Sequence, residues 1–194
     1  MSDGLFVINS FAEALKDTHL KIHLAGHSTG AVLLGYLLNA LDTMGIPDLI
    51  ESCNLMAPAC SIDFYKKNYE PRLQVQEIDK TKVKLPALSL FNLKEQLELD
   101  DNVGFVYRKS LLYLVSRALE RQNDKPILGM QRYSKKLTMH PGLTIDYSNG
   151  KKGVTNSTSH GGFDNDVATM NTIMTKILKK APTKPFTKEE MKGY

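Results

Sequence analysis

The sequence predicts an α/β fold: a mostly parallel sheet of about four strands flanked by helices. Two observations carry this reading. Short apolar runs of strand type alternate along the chain with segments of helical period, the order that lays parallel strands under a helical cover. The chain of 194 residues, 42% hydrophobic and 24% charged, has a globular balance that supplies one core. No internal repeat is present.

The elements follow in order. Leu5, Ile8, Phe11, Ala12 and Leu15 fall at helical spacing and predict a short amphipathic opening helix. Residues 20–25 alternate as a strand does, and the run stops at Gly26-His27-Ser28-Thr29-Gly30. Val32, Leu33, Tyr36, Leu37, Ala40 and Leu41 then mark a helix over 31–41 that is apolar almost all round, ended by Gly45 and Pro47. A buried strand is expected at 52–57, closed by Pro58, and residues 63–80 predict an irregular helical excursion. Residues 87–93 read as a third strand, from which an acidic stretch over 95–101 leads away. Residues 110–119 are dense enough in Leu, Tyr and Val for a buried helix. A fourth strand at 143–147 ends at the turn pair Asn149-Gly150. A Gly/Ser/Thr/Asn-rich loop over 148–162 precedes a last amphipathic helix through Val167, Met170, Ile173, Met174, Ile177 and Leu178, with Asp164 near its positive end. The expected division is one domain over 1–181 and a flexible basic tail over 182–194, in which Pro182 and Pro185 stop helices.

Charge excludes some functions. The formal net charge is +4, but residues 179–194 hold five lysines against two acids, leaving about +1 on the body. A nucleic-acid partner needs a basic face on the fold, and none is expected here. No apolar run approaches the ~18 residues of a membrane span. Asp3 stands where a secretory signal needs positive charge, so a cytoplasmic location is expected. Cys53 and Cys60 lack further thiols or a histidine cluster, so no metal is expected and both read as buried, reduced side chains.

Gly26-x-Ser28-x-Gly30 carries the chemistry. A serine at a sharp turn between a strand and a helix is forced into strained backbone geometry, and its hydroxyl is pushed out above the carboxyl end of the sheet. The residues two positions away must be small to let the backbone turn. The helix that follows points its free N–H groups at the same spot, and the Thr29 N–H is the oxyanion donor this predicts. A five-residue pattern is weak by itself; the strand before it and the buried helix after it give it weight. No P-loop lysine follows and no G-x-G-x-x-G is present, so a phosphate cradle is disfavoured.

A serine hydroxyl needs a base, and the base needs an acid to orient it. Of His19, His23, His27, His140 and His160, only the last two lie late enough, and His140 precedes Pro141 before the last strand. His160, in Ser159-His160-Gly161-Gly162-Phe163, lies in the loop that can reach over the sheet. The acid is expected just past the third strand: Asp101 first, with Asp100, Glu98 and Glu95 as alternatives.

With these segments in view, the chain resembles the C-terminal half of an α/β-hydrolase, from the helix before the nucleophile strand to the final helix. Leu24-Ala25-Gly26-His27-Ser28-Thr29-Gly30 and Ser159-His160-Gly161-Gly162-Phe163-Asp164 are similar to the nucleophile and histidine segments of esterase-like members. The resemblance implies hydrolysis of carboxylic esters through an acyl-serine intermediate by Ser28, His160 and Asp101, with no cofactor or metal. It also implies that the family's N-terminal strands are missing, and with them the loop that supplies a second oxyanion donor, one such donor being worth about 3–4 kcal/mol of barrier. The nucleophile strand would then lie at an open edge, which predicts a homo-oligomer or a partner chain covering it. The competing expectation is a catalytically silent module of the same fold used for binding or assembly.

Overall fold

Four strands, β1 (Ile22–His27), β2 (Ile50–Met56), β3 (Leu88–Leu93) and β4 (Leu143–Ser148), pair in chain order, every pair parallel. The computed structural model describes residues 20–43, 48–73, 81–104, 107–120 and 123–191, together with residues 6, 10 and 14. Between and after the strands lie helices α1 (Gly30–Asp42), α2 (Ile62–Asn68), α3 (Glu70–Leu73), α4 (Glu95–Asp100), α5 (Leu111–Leu114), α6 (Gln131–Ser134) and α7 (Val167–Leu178). This is the α/β architecture of the sequence reading, a four-stranded parallel sheet flanked by helices. Among the described residues β1 pairs on one side only, with β2.

Alternation along the strands divides the core. Leu88 and Leu90 of β3 join Leu24, Leu55 and the α1 residues Ala31, Leu34, Leu38 and Leu41. Phe91 and Leu93 turn the other way, into a second cluster with Met56, Leu112, Phe163 and Ile173 of α7. A period of two sends neighbours to opposite faces, so a strand with apolar residues throughout is covered on both. All six residues of β3 are buried accordingly.

Several expectations change in detail. Of the opening helix, Phe6, Ser10 and Ala14 are helical, while Leu5, Ile8, Phe11, Ala12 and Leu15 lie outside the described residues, as do Gly45, Pro47 and residues 74–80. The acidic stretch after β3 is not a departing loop: residues 95–100 form α4, which places Glu95 and Glu98 in the first turn, where the helix dipole favours acids. Residues 110–119 are not one buried helix. Four residues of α5 give way to a π-helical turn over Val115–Leu119, and Leu119 is 68% exposed. Residues 127–137 show no periodicity in sequence, yet Ile127, Leu128 and Met130 are fully or almost fully buried. This segment is tied to the sheet by the buried Asn92 side chain of β3, which donates to the Leu128 carbonyl at 3.1 Å. Cys53 and Cys60 are free and buried, and burial pushes both thiols up, Cys60 to about 12. No helix among the described residues is long and apolar enough to cross a membrane.

The N-cap of α7 is Asp166, two residues after the Asp164 expected near the helix start. Its carboxylate accepts from the N–H groups of Ala168 (3.3 Å) and Thr169 (3.0 Å), and also from the Asn156 N–H in the preceding loop (2.7 Å). One side chain therefore starts the helix and fastens the loop that carries His160. Asp166→Ala is expected to lower stability by about 1–2 kcal/mol, the upper part of the usual cost of a lost cap, because the loop bond goes with it. The midpoint of urea unfolding, read at constant slope, checks this; an unchanged midpoint would contradict it.

Candidate active site

Ser28 follows β1 directly and has φ of 54°, one of four described residues other than glycine in the left-handed region. Such a conformation costs about 1–3 kcal/mol and persists only where neighbours fix it. Here three backbone bonds do so. The Ser28 N–H donates to the Met56 carbonyl at 2.9 Å, and the Ser28 carbonyl accepts from Ala31 (3.2 Å) and Ala59 (3.0 Å). Thr29 then caps α1 in helical geometry without a side-chain cap bond, and its N–H donates to no described residue. A free N–H at the positive end of a 13-residue helix, one residue past the serine hydroxyl, is suited to receive negative charge.

The two glycines of the motif do different work. A Cβ on Gly26 would stand 2.8 Å from Leu34 Cδ1 and 3.2 Å from the Gly30 backbone carbon, so a side chain there must displace Leu34 and press on the turn. A Cβ on Gly30 would meet nothing within 4 Å. The steric argument holds for Gly26 and fails for Gly30, which sits in the open first turn of α1.

His160 arrives from β4 through a loop ordered by its own hydroxyls. Ser148 Oγ donates to the Ser157 carbonyl at 2.6 Å, Ser157 Oγ to the Ser159 carbonyl at 2.9 Å, and Thr155 and Thr169 pair their hydroxyls at 2.7 Å. Phe163, fully buried, anchors the far end. The result is that His160 Nε2 lies 3.0 Å from Ser28 Oγ, across 132 positions of sequence. Both stand beyond the carboxyl ends of strands, where sites in open α/β sheets form.

The acids separate clearly. Asp101 Oδ2 accepts from the backbone N–H of His160 at 2.8 Å, and its Oδ1 from that of Asn102 at 2.9 Å. Asp100 is exposed and takes the Gln96 amide at 2.9 Å. Glu95 accepts from Tyr113, and Glu98, fully buried, from Ser110. Among the described residues Asp101 is the one carboxylate of the four bonded to His160, and it holds the main chain rather than the ring. His160 Nδ1 is buried without a hydrogen-bond partner. His140 stands elsewhere, 3.1 Å from Glu70.

The structure adds two residues to which the sequence reading gave no role at the site. His27 Nε2 donates to the His160 carbonyl at 2.8 Å, and its Nδ1 lies 3.4 Å from Asp164 Oδ2. The rings of His27 and His160 are 5.2 Å apart between centroids. A histidine inside the serine motif thus fastens the loop carrying His160 to the strand carrying the serine. Its position beside Ser28 was the available signal, although a histidine ahead of the later strands is too early in the chain to be the expected base.

Burial keeps the His160 ring neutral. Burial pushes the His160 imidazole down to about 4, the neighbouring His27 adds to this, and Asp164 opposes it. Burial likewise raises the Glu98 carboxyl to about 8, with the Asp101 and Glu95 charges adding to it against the Ser110 bond. No group of three or more His, Cys, Asp or Glu able to hold a metal occurs among the described residues. No known protein family, curated protein or solved structure matches the chain.

Two measurements test this geometry. Gly26→Ala is expected to destabilise by about 1–3 kcal/mol through overpacking, whereas Gly30→Ala stays within about 1 kcal/mol of the parent; equal urea midpoints for the two would refute the assignment. The folded-state value of His160 lies below the ordinary imidazole value, so its contribution to stability is present above about 6.5 and is lost as pH falls toward 4. By proton NMR its ring resonances should titrate near 4, and a midpoint above 6 would show a solvated or acid-paired ring.

Proposed function

We propose that this protein is a serine hydrolase acting on carboxylic esters, built as part of an α/β-hydrolase fold. The observation that carries the reading is the left-handed Ser28 with its hydroxyl 3.0 Å from His160 Nε2. That pair is a nucleophile and a base at hydrogen-bond reach, in the setting where a serine needs both. Supporting it, the strands β1, β3 and β4 deliver serine, acid and histidine in the chain order of that fold.

In the proposed reaction Ser28 Oγ attacks the ester carbonyl while His160, as the Nδ1–H tautomer, takes the hydroxyl proton on Nε2. The Thr29 N–H receives the developing oxyanion. The imidazolium returns the proton to the leaving alcohol, and water then attacks the acyl-serine by the same route. Asp101 orients the base through the main chain of His160, whose N–H it accepts at 2.8 Å.

A second reading, a silent module for binding or assembly, is favoured by one observation: His160 Nδ1 has no acid on it. A fluorophosphonate probe separates the two. On the hydrolase reading it labels Ser28, Ser28→Ala abolishes labelling, and wild type releases nitrophenol from short-chain nitrophenyl esters well above the level of that variant. Labelling that survives Ser28→Ala, or hydrolysis equal in the two proteins, would refute the hydrolase.

A further inference from the structure

His27 is set between two oxygens of one loop. Its Nε2 stands 2.8 Å from the His160 carbonyl, and its Nδ1 stands 3.4 Å from Asp164 Oδ2. A carbonyl and an ionised carboxylate carry no proton, so both oxygens only accept. A neutral imidazole has one N–H and serves the carbonyl or the carboxylate, turning a lone pair on the other oxygen. The imidazolium has two and serves both. The two acceptors belong to residues four apart in sequence, on either side of the short turn His160–Gly162. The ring closes that turn like a clasp, from the position just before Ser28.

The surroundings leave His27 to these partners. His160 and Asp164 face it from the loop, the two imidazole rings 5.2 Å apart. Asp101 lies beyond, on the backbone N–H of His160. On β1, His23 is taken by Ser52 at 2.8 Å, and the register partner of His27 on β2 is the apolar Met56. Asp164 also shares a groove with the Lys184–Glu190 pair, 3.2 Å apart. That pair lies on a strap of residues 184–191, which Asn171 fastens to α7 through both main-chain groups of Phe186. The His27 side chain is 22% exposed and that of Asp164 48%, so solvent reaches the pair and screens it. Such a contact is weak, and one proton makes or breaks it. Histidine is the side chain whose charge ordinarily changes between about pH 5 and 8. The charge also bears on the base, since His27 follows burial among the causes of the low value of His160.

We propose that His27 is a positioning residue for the base: as the imidazolium it clasps the His160 carbonyl and the Asp164 carboxylate together, and so holds His160 Nε2 on Ser28 Oγ. This deepens the hydrolase reading and rests on it for the use of the clasp, though not for the clasp itself. The clasp is complete while the ring carries its second proton, and it loses one of its two bonds when that proton leaves. Order in the loop is thereby tied to pH through a histidine that is not the base. The loop is tighter on the acid side of the His27 titration and looser on the alkaline side.

Three substitutions take the clasp apart. His27→Gln keeps a donor near the Nε2 position for the carbonyl; His27→Asn keeps one near Nδ1 and loses the carbonyl. Asp164→Asn offers an amide that accepts from the charged ring and donates to the neutral one, so the clasp no longer needs the second proton. Loop order is read as protection of the His160 and Gly162 N–H groups against hydrogen exchange, the first bonded to Asp101 and the second to the Ser159 carbonyl. Reaction is read as the rate of fluorophosphonate labelling of Ser28, with kcat and KM on nitrophenyl acetate. His27→Asn should lose about three- to tenfold in protection, labelling rate and kcat with KM unchanged, while His27→Gln loses less than about threefold. Across the His27 titration, followed by proton NMR, protection in wild type relative to Asp164→Asn should fall about two- to fivefold from the acid to the alkaline side. Comparison at each pH cancels the intrinsic pH dependence of exchange. Asp164 is half exposed, so its variant keeps the test open if a His27 variant fails to fold. Equal protection in wild type and His27→Asn, or a wild-type to Asp164→Asn ratio that is flat with pH, would overturn the clasp. Lost protection beside unchanged labelling and kcat would overturn the positioning role. Protection that responds to all three variants in a protein whose Ser28 takes up no probe would keep the clasp and remove the hydrolase.

Discussion

The left-handed backbone at Ser28 is the constraint on which the site depends, and the fold fixes it from a distance. The Ser28 carbonyl is held by the Ala59 N–H, so the loop after β2 must stay in place. That loop is held in turn by the segment 127–130: Gly129 donates to the Pro58 carbonyl at 2.9 Å and Leu128 to that of Cys60 at 2.8 Å. The approach is so close that a Cβ on Gly129 would stand 2.8 Å from the Pro58 oxygen. Leu128 is then fastened to β3 by Asn92. The chain of bonds runs from the sheet centre, through an irregular segment, back to the edge strand, and it fixes a conformation that would otherwise cost about 1–3 kcal/mol.

This explains which parts were legible in sequence. The strands were, because alternation and apolar density report burial directly. The serine motif was, because a strand, a small residue and an apolar helix stand in immediate succession there. The buttress was not: residues 127–137 have no period, and their burial comes from contacts made by Asn92, Pro58 and Cys60, each far away in sequence. α4 was hidden for the opposite reason. Its acids read as a solvated loop, and only the Lys94–Ser148 and Glu98–Ser110 backbone bonds show it packed against the sheet and the following segment.

The site shows the same division. The approach of Ser28 and His160 was legible because each lies in a local pattern that its proposed role demands. The bonds among His27, Asp164 and the His160 carbonyl depend on two loops meeting, which no local spacing encodes. The strap on α7 is a similar case. Lysines and prolines make residues 182–191 look like an appendage, while the feature that recruits them is one asparagine on a helix face, Asn171, whose amide matches a peptide unit.

The arrangement around His160 sets opposing demands on one ring. Burial keeps it neutral and able to accept a proton at any ordinary pH, yet a base pushed down to about 4 holds that proton poorly. Each pKa unit is worth about 1.4 kcal/mol, so in the proposed reaction the imidazolium needs a compensating charge as it forms. Two carboxylates stand ready at different places. Asp164 already opposes the downward shift, but it faces His27 rather than the base. Asp101 is anchored on the backbone N–H of the same residue, with its second oxygen accepting from Asn102. Releasing the Asn102 bond and turning toward Nδ1 would exchange a neutral donor for a charged one, a trade that favours the ion pair as soon as the ring is protonated. An acid that engages only when charge develops stabilises the transition state more than the ground state, the condition for acceleration rather than mere binding.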